Sequence, residues 1–329
     1  MEAENTIPES EEIKSVHPVA EAADAVRREM AKVLIGQNDL VQQLLTGLFA
    51  GGHLLLEGVP GIAKTLSARV MAKSLQLSYS RIQFTPDLMP SDVTGTSIFN
   101  VKESAFVFKP GPIFGHVVLI DEINRAPAKT QAALFEVMEE QTVTVDGKTY
   151  PLPGPFLVLA TQNPIEQEGT YRLPEAQLDR FLFRVLLTYP GLQEEQQILK
   201  RFRDDFSNRL FEQVQSILKA EDILRLRALV EQVHIKDELL DYIAAIVYKT
   251  RNDSDLYLGA SPRASLAILR AAKATAAIAG RDFVIPDDIR EVTVPVLNHR
   301  IQLLPEREME GLQTSDVIRR ITESIEVPR

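Results

Sequence analysis

The sequence predicts an α/β domain built on a parallel sheet, followed by a smaller all-α domain. Three observations predict it. Short apolar runs, each the length of one strand, alternate with helical patterns between residues 53 and 187. One of these runs leads straight into a glycine-rich loop and a helix, at Gly58–Thr65. Strand signals then stop at Tyr189–Pro190–Gly191, and only helical patterns follow. A chain of 329 residues has room for two such units. The expected organisation is a flexible N-terminal arm over 1–18, an α/β core over 19–190 and an all-α lid over 192–329.

Residues 1–18 are polar and end at Pro18, which suits a frayed arm. From Pro18 to Ile35, Val19, Ala22, Ala23, Val26, Met30 and Val33 recur at helical spacing. Residues 39–50 repeat the pattern with Leu40, Leu44, Leu45 and Leu48, and Gly51–Gly52 ends it. His53–Leu56, Ser80–Phe84, Val117–Ile120, Phe156–Ala160 and Phe181–Leu187 read as strands, several of them buried on both faces. Thr65–Leu75 and Gln131–Glu140 read as helices between them. Two segments break the rhythm. Ile98–Phe108 is β-rich around Lys102–Glu103–Ser104, and Thr142–Leu152 alternates about Asp146–Gly147; both predict hairpins. Packing of a parallel sheet gives no reason for either.

In the lid, 193–206, 221–232, 237–251, 263–279 and 286–292 read as helices. Ser261–Pro262 supplies a cap and a first-turn proline, and Gly280 a stop. Pro286–Asp287–Asp288 is a second start, with acids placed where the helix dipole favours them. The alanine-rich stretch 264–279 predicts close helix packing.

Composition narrows the function. Absence of cysteine excludes disulfides, thiolate metal sites and cysteine nucleophiles. Apolar runs of four or five residues fall far short of the ~20 a membrane helix needs, so no membrane insertion is expected. The acidic start of the chain has no apolar signal region, and a cytoplasmic location is expected. A net charge of −10 argues against a nucleic-acid partner. The five histidines are scattered without metal-ligand spacing.

Two motifs carry the chemistry. Gly58, Val59, Pro60, Gly61, Ile62, Ala63, Lys64, Thr65 and Leu66 form a loop between a strand and a helix, the setting of a phosphate-binding loop. Amides of such a loop and of a helix N-terminus converge on one anion. Lys64 would face the β- and γ-phosphates of ATP, and the Thr65 hydroxyl would ligate Mg²⁺. Ala63 stands where the strict pattern has glycine. The second motif is Val117–Val–Leu–Ile–Asp–Glu122, a buried strand ending in two carboxylates. At the strand's carboxyl end Asp121 would hold Mg²⁺ through water, and Glu122 would polarise the attacking water.

The sequence resembles the MoxR family of AAA+ ATPases from Ile35–Gly36–Gln37 to about Val296. The resemblance rests on Glu57–Thr65, Pro86–Gly95, Lys109–Phe114, Ile120–Pro127 and Leu173–Phe181 in that order. It implies an AAA+ fold with one hairpin interrupting helix 2 and one before sensor 1, and it makes Ala63 ordinary. It also assigns roles. Asn163 matches sensor 1 and would orient the lytic water beside Glu122. Arg263, in Ala260–Ser–Pro–Arg263, matches sensor 2 and would reach the γ-phosphate from the lid. Arg180 matches the arginine finger supplied to a neighbour's nucleotide, with Arg184 able to share or take that role. Backbone near Ile35 and Gly36 would contact adenine.

The resemblance further implies a homo-oligomeric ring, a hexamer, acting as a chaperone on client proteins, with a von Willebrand factor A domain partner. Two other readings stay open in the residues themselves. One is a helicase-like ATPase stimulated by nucleic acid, against which stand the net charge and the mixed hairpin loops. The other is a nucleotide-binding scaffold without turnover, for which the intact catalytic set gives no support.

Overall fold

The computed structural model describes residues 15–59, 64–163, 171, 173–203 and 209–328. Most of the expected arm, and Pro60, Gly61, Ile62 and Ala63 of the phosphate loop, lie outside the described residues.

Helix α1 (His17–Met30) buries Val19, Ala22, Ala23, Val26 and Met30 along one face. It stops five residues short of the expected Ile35, and Gly36 at φ 72° then redirects the chain. Helix α2 (Asn38–Ala50) ends on Gly51 in the left-handed conformation, at φ 68°. The core follows as β1 (His53–Gly58), α3 (Lys64–Ser74), β2 (Tyr79–Gln83), α4 (Pro90–Thr94), β3 (Gly95–Asn100), β4 (Ala105–Pro110), β5 (Val117–Asp121), α5 (Ala128–Glu140), β6 (Thr142–Val145), β7 (Lys148–Pro151), β8 (Leu157–Gln162), α6 (Glu175–Leu178) and β9 (Phe181–Leu187).

The five expected sheet strands pair in the order β2-β5-β8-β1-β9, all parallel. Their alternation sorts two cores. Leu54, Leu56, Val117, Leu119, Leu157 and Leu159 face α1, α2 and the lid. Leu55, Val118, Ile120, Val158 and Ala160 face α5 and Ile113. Because β1 lies between β8 and β9, the chain leaves it at a reversal of strand order, where ligands of open α/β sheets gather.

Both expected hairpins form as separate two-stranded ribbons, β3-β4 and β6-β7. Asp146 and Gly147 turn the second with φ of 50° and 74°, the pair of left-handed residues a tight hairpin asks for. The first is pinched at its base. A Cβ on Gly95 would stand 2.4 Å from the Lys109 carbonyl oxygen, so no larger residue fits there.

The lid comprises α7 (Leu192–Phe202), α8 (Arg209–Glu212), α9 (Ala220–Glu231), α10 (Asp237–Thr250), β10 (Leu256–Leu258), α11 (Pro262–Ile278), α12 (Pro286–Leu297), β11 (Gln302–Leu303), α13 (Pro305–Met309) and α14 (Thr314–Glu323). It is not all helix, because β10 and β11 pair as a short antiparallel ribbon. That ribbon brings the end of α10 to the end of α12, a long-range pairing no local pattern announces. The alanine face of α11 is buried against α1, α2 and α12, as expected of close packing. One apolar core runs from the sheet through α1 and α2 into the lid, so the lid is fixed to that face. Arg300 rivets the joint. Its buried guanidinium donates to Asp179 Oδ1 at 2.7 Å, to the Asp179 carbonyl at 2.9 Å and to the Leu182 carbonyl at 3.1 Å. No helix among the described residues is long and apolar enough to cross a membrane.

Candidate nucleotide site

Parallel pairing gives the sheet two distinct edges. The carboxyl edge carries Gly58, Asp121 and Gln162; the amino edge carries His53, Leu157 and Phe181.

At the carboxyl edge, β1 ends on Gly58, and Val59 follows half-buried. Lys64, Thr65 and Leu66 open α3, whose first turn holds no acid. Lys64 Nζ donates to the Gly58 carbonyl at 2.8 Å and lies 3.5 Å from the Gln162 carbonyl. The ammonium therefore sits between the ends of β1 and β8. An acid-free helix N-terminus beside that cation suits a polyphosphate.

Asp121 is buried and accepts from the Thr161 hydroxyl at 3.2 Å and from Arg81 Nε at 2.6 Å. Glu122 follows in the left-handed region, φ 57° and ψ 53°, where a residue with a Cβ is strained. Its N–H donates to Thr161 Oγ1 at 3.0 Å, which holds that conformation. Its Oε2 accepts from Gln83 Nε2 at 2.9 Å and pairs with Arg125 at 3.0 Å. Thr161 thus ties the Asp121 carboxylate and the Glu122 backbone to β8, and Asn163 stands just beyond, past Gln162. The donor set fits a magnesium nucleotide: a buried carboxylate at the end of β5, a hydroxyl at the start of α3 and a lysine ammonium between the ends of β1 and β8.

Thr161, Gln83, Arg81 and Arg125 escaped the sequence reading. Their signal is positional. Gln83 and Thr161 lie at the carboxyl ends of sheet strands, Arg81 two residues before the end of β2, and Arg125 one turn past the acid pair, and only strand order reveals which of them meet.

The segment at Ile35 and Gly36 packs against α7. The Glu194 side chain lies over Gly36, 2.4 Å from where a Cβ would stand, and the φ of 72° is what favours glycine there. Arg201 of α7 donates to the Lys32 carbonyl at 2.9 Å. Since α7 follows β9 from the carboxyl edge, Ile35 and Gly36 lie toward that edge.

The two other expected site residues lie elsewhere. Arg180 precedes β9 at the amino edge, and Arg263 stands in the first turn of α11 beside it. Glu139, in the last turn of α5, binds both: Oε2 accepts from Arg180 at 2.8 Å and Oε1 from Arg263 at 2.8 Å. Arg180 above all, with Arg263, holds the Glu139 carboxyl below its ordinary range. Six residues of β1, about 20 Å of strand, separate this edge from the chain's own phosphate loop. Arg263 therefore faces away from its own Lys64, which the sensor-2 match alone did not foretell. Arg184 is committed within the chain. It forms a two-toothed pair with Glu57 at 2.7 Å for each tooth and donates to the Asn298 carbonyl at 3.3 Å.

A groove of about 540 Å³ lies beside these arginines, walled by Gly52, Glu139, Arg180, Leu266 and Arg270. His53 borders it, buried and pushed down to about 4 by that burial. Its Nδ1 accepts the Val158 N–H at 3.0 Å, and its Nε2 donates to the Met138 carbonyl at 3.2 Å.

Residues 53–183 match the model of the ATPase family associated with various cellular activities (AAA), and 248–321 match an AAA lid domain. The chain is 46% identical to the uncharacterised protein YeaC of Bacillus subtilis, over 96% of this chain and 97% of that one. It is 44% identical to Chaperone MoxR1 of Mycobacterium tuberculosis, over 92% and 81%. Protein MoxR of Methylorubrum extorquens is 31% identical over 94% and 96%. A crystal structure of a protein of Cytophaga hutchinsonii assigned as an ATPase superposes with a TM-score of 0.88, at 45% identity, covering 94% and 96%.

Proposed function

The chain belongs to the MoxR family of AAA+ ATPases, and from that premise we propose that it hydrolyses ATP in a ring of identical subunits, a hexamer, whose active sites are shared between neighbours. One observation carries this reading. Arg180 and Arg263 gather about 20 Å from their own phosphate loop, at the opposite edge of the sheet. Charges so placed are useless to their own nucleotide. A head-to-tail ring brings the amino edge of one subunit to the carboxyl edge of the next, where they meet a γ-phosphate.

The chain's residues then divide the work. Lys64 and the start of α3 bind the phosphates, with Gly58, Val59 and the loop residues Pro60–Ala63 around them. Thr65 and, through water, Asp121 would hold Mg²⁺, which would neutralise phosphate charge. Glu122 takes the proton of the attacking water, and Asn163 keeps that water in line. Thr161 fixes Glu122 in its strained conformation, so the carboxylate is aimed before substrate arrives. Ile35 and Gly36 line the adenine side. Arg180 and Arg263 of the neighbour stabilise charge on the transferring phosphoryl group.

Chaperone activity on client proteins is proposed on two grounds: the name of the Mycobacterium tuberculosis relative and a surface. The ribbon β3-β4 exposes Ile98, Phe99, Val101 and Phe106, with Phe99 and Phe106 edge to face at 5.3 Å. An apolar ribbon held in solvent suits transient contact with apolar client segments. A von Willebrand factor A domain partner and a cytoplasmic setting complete the reading. Phosphate release from Mg²⁺–ATP, with light scattering in ATP, tests it. Turnover from particles six times the 36.8 kDa chain is expected; turnover by monomers would refute it.

A further inference from the structure

Glu139 has no place in the chemistry above, yet it binds both arginines that the shared site needs. Each carboxylate oxygen takes one of them, Oε2 with Arg180 and Oε1 with Arg263. Two guanidiniums converging on the oxygens of one small anion is the arrangement a terminal phosphate would demand. Glu139 also sits in the last turn of α5, where the helix dipole disfavours an acid and no basic residue of that turn offsets it. Both guanidiniums relieve that conflict. All three side chains are partly open to solvent, 38% for Glu139, 28% for Arg180 and 56% for Arg263, so the contacts can be exchanged. Arg270, two helical turns beyond Arg263 on α11, lines the same groove.

We infer that Glu139 is an autoinhibitory stand-in for the neighbour's γ-phosphate: it occupies Arg180 and Arg263 in the lone subunit and releases them when a nucleotide-loaded neighbour docks. This rests on the shared-site reading. Docking exchanges one carboxylate for a more highly charged phosphate, so the arginines engage only at an interface that carries ATP. An unloaded neighbour offers nothing better than Glu139.

The test measures phosphate release per subunit against subunit concentration, at saturating ATP, for the wild-type chain, Glu139→Gln and Arg180→Ala. Glu139→Gln should reach half its plateau at a concentration about three- to tenfold lower than wild type, the scale of two exposed ion pairs. Its plateau should stay within about twofold of wild type, because the stand-in has already left the assembled site. An unchanged concentration dependence overturns the inference, since the contact is then idle. A fallen plateau also overturns it, since Glu139 is then a brace that the arginines need. Arg180→Ala at full activity, or a wild-type rate per subunit independent of concentration, removes the shared site itself and this inference with it. The two failures are therefore distinguishable.

Discussion

The two edges of the sheet are built differently. At the carboxyl edge, the expected nucleotide residues come from short contiguous stretches, Gly58–Leu66 and Asp121–Glu122, and a single hydroxyl, Thr161, binds both acids together. At the amino edge, Glu139, Arg180 and Arg263 come from three remote elements and meet only through folding. On the proposed reading, the first edge holds a binding site and a base. The second holds cations with no phosphate of their own. The contrast is what the proposed ring requires: two complementary halves of a site on one subunit, facing opposite ways.

Substitutions can break that contrast. The largest effect is expected from Lys64→Ala, which removes the cation spanning β1 and β8. ATP binding should disappear from a titration, and turnover should fall by at least about 10³-fold. Retained affinity would show that the carboxyl edge is misread. Arg180→Ala should instead leave ATP affinity intact and lower turnover by about 10³-fold; paired binding and rate measurements separate the two. Arg263→Ala, at a more exposed site, should cost about 10- to 100-fold in rate, again without loss of binding. A drop in binding for either arginine variant would place it at its own nucleotide.

The smallest effect on turnover is zero: the last prediction concerns stability, and it too belongs to the amino edge. Burial pushes His53 down to about 4 and drives His299 well below its ordinary 6.5. His299 is locked to the Phe181 carbonyl at 3.0 Å. The unfolded chain takes up protons at both near 6.5, and the folded chain refuses them. Stability is therefore full above that value and is lost as pH falls toward 4. His53 alone accounts for roughly 3 kcal/mol over the window. Calorimetry should show Tm falling between about pH 7 and pH 5. A flat profile would mean that neither histidine is excluded from water.

How much of this was legible in the sequence follows the same division. Strand and hairpin positions, Lys64, Thr65, Asp121 and Glu122 could be read because local pattern and motif spacing encode them. Glu139 could not. It is one of several acids on an ordinary helix, and its partners lie 41 and 124 residues away. Its lone hint was an acid in the last turn, set against the dipole. The ribbon β10-β11 was missed because a three-residue strand pairs with a two-residue one across 40-odd intervening residues. Helix α1 was read too long because Val33 continues the apolar spacing, whereas the chain leaves the helix at the Ala31 cap and Val33 and Leu34 both donate to the Met30 carbonyl in turns.

The central claim, that the halves of the site belong to different subunits, is tested most directly by mixing two inactive proteins. Glu122→Gln subunits keep Arg180 and lose the base. Arg180→Ala subunits keep the base and lose the finger. In an equimolar mixture, about a quarter of head-to-tail interfaces pair an intact Glu122 with a neighbour's intact Arg180. Phosphate release should therefore reappear on mixing, and its dependence on the mixing ratio should peak near equal proportions. No recovery at any ratio, from variants shown to co-assemble, would place Arg180 beside its own nucleotide and contradict the account.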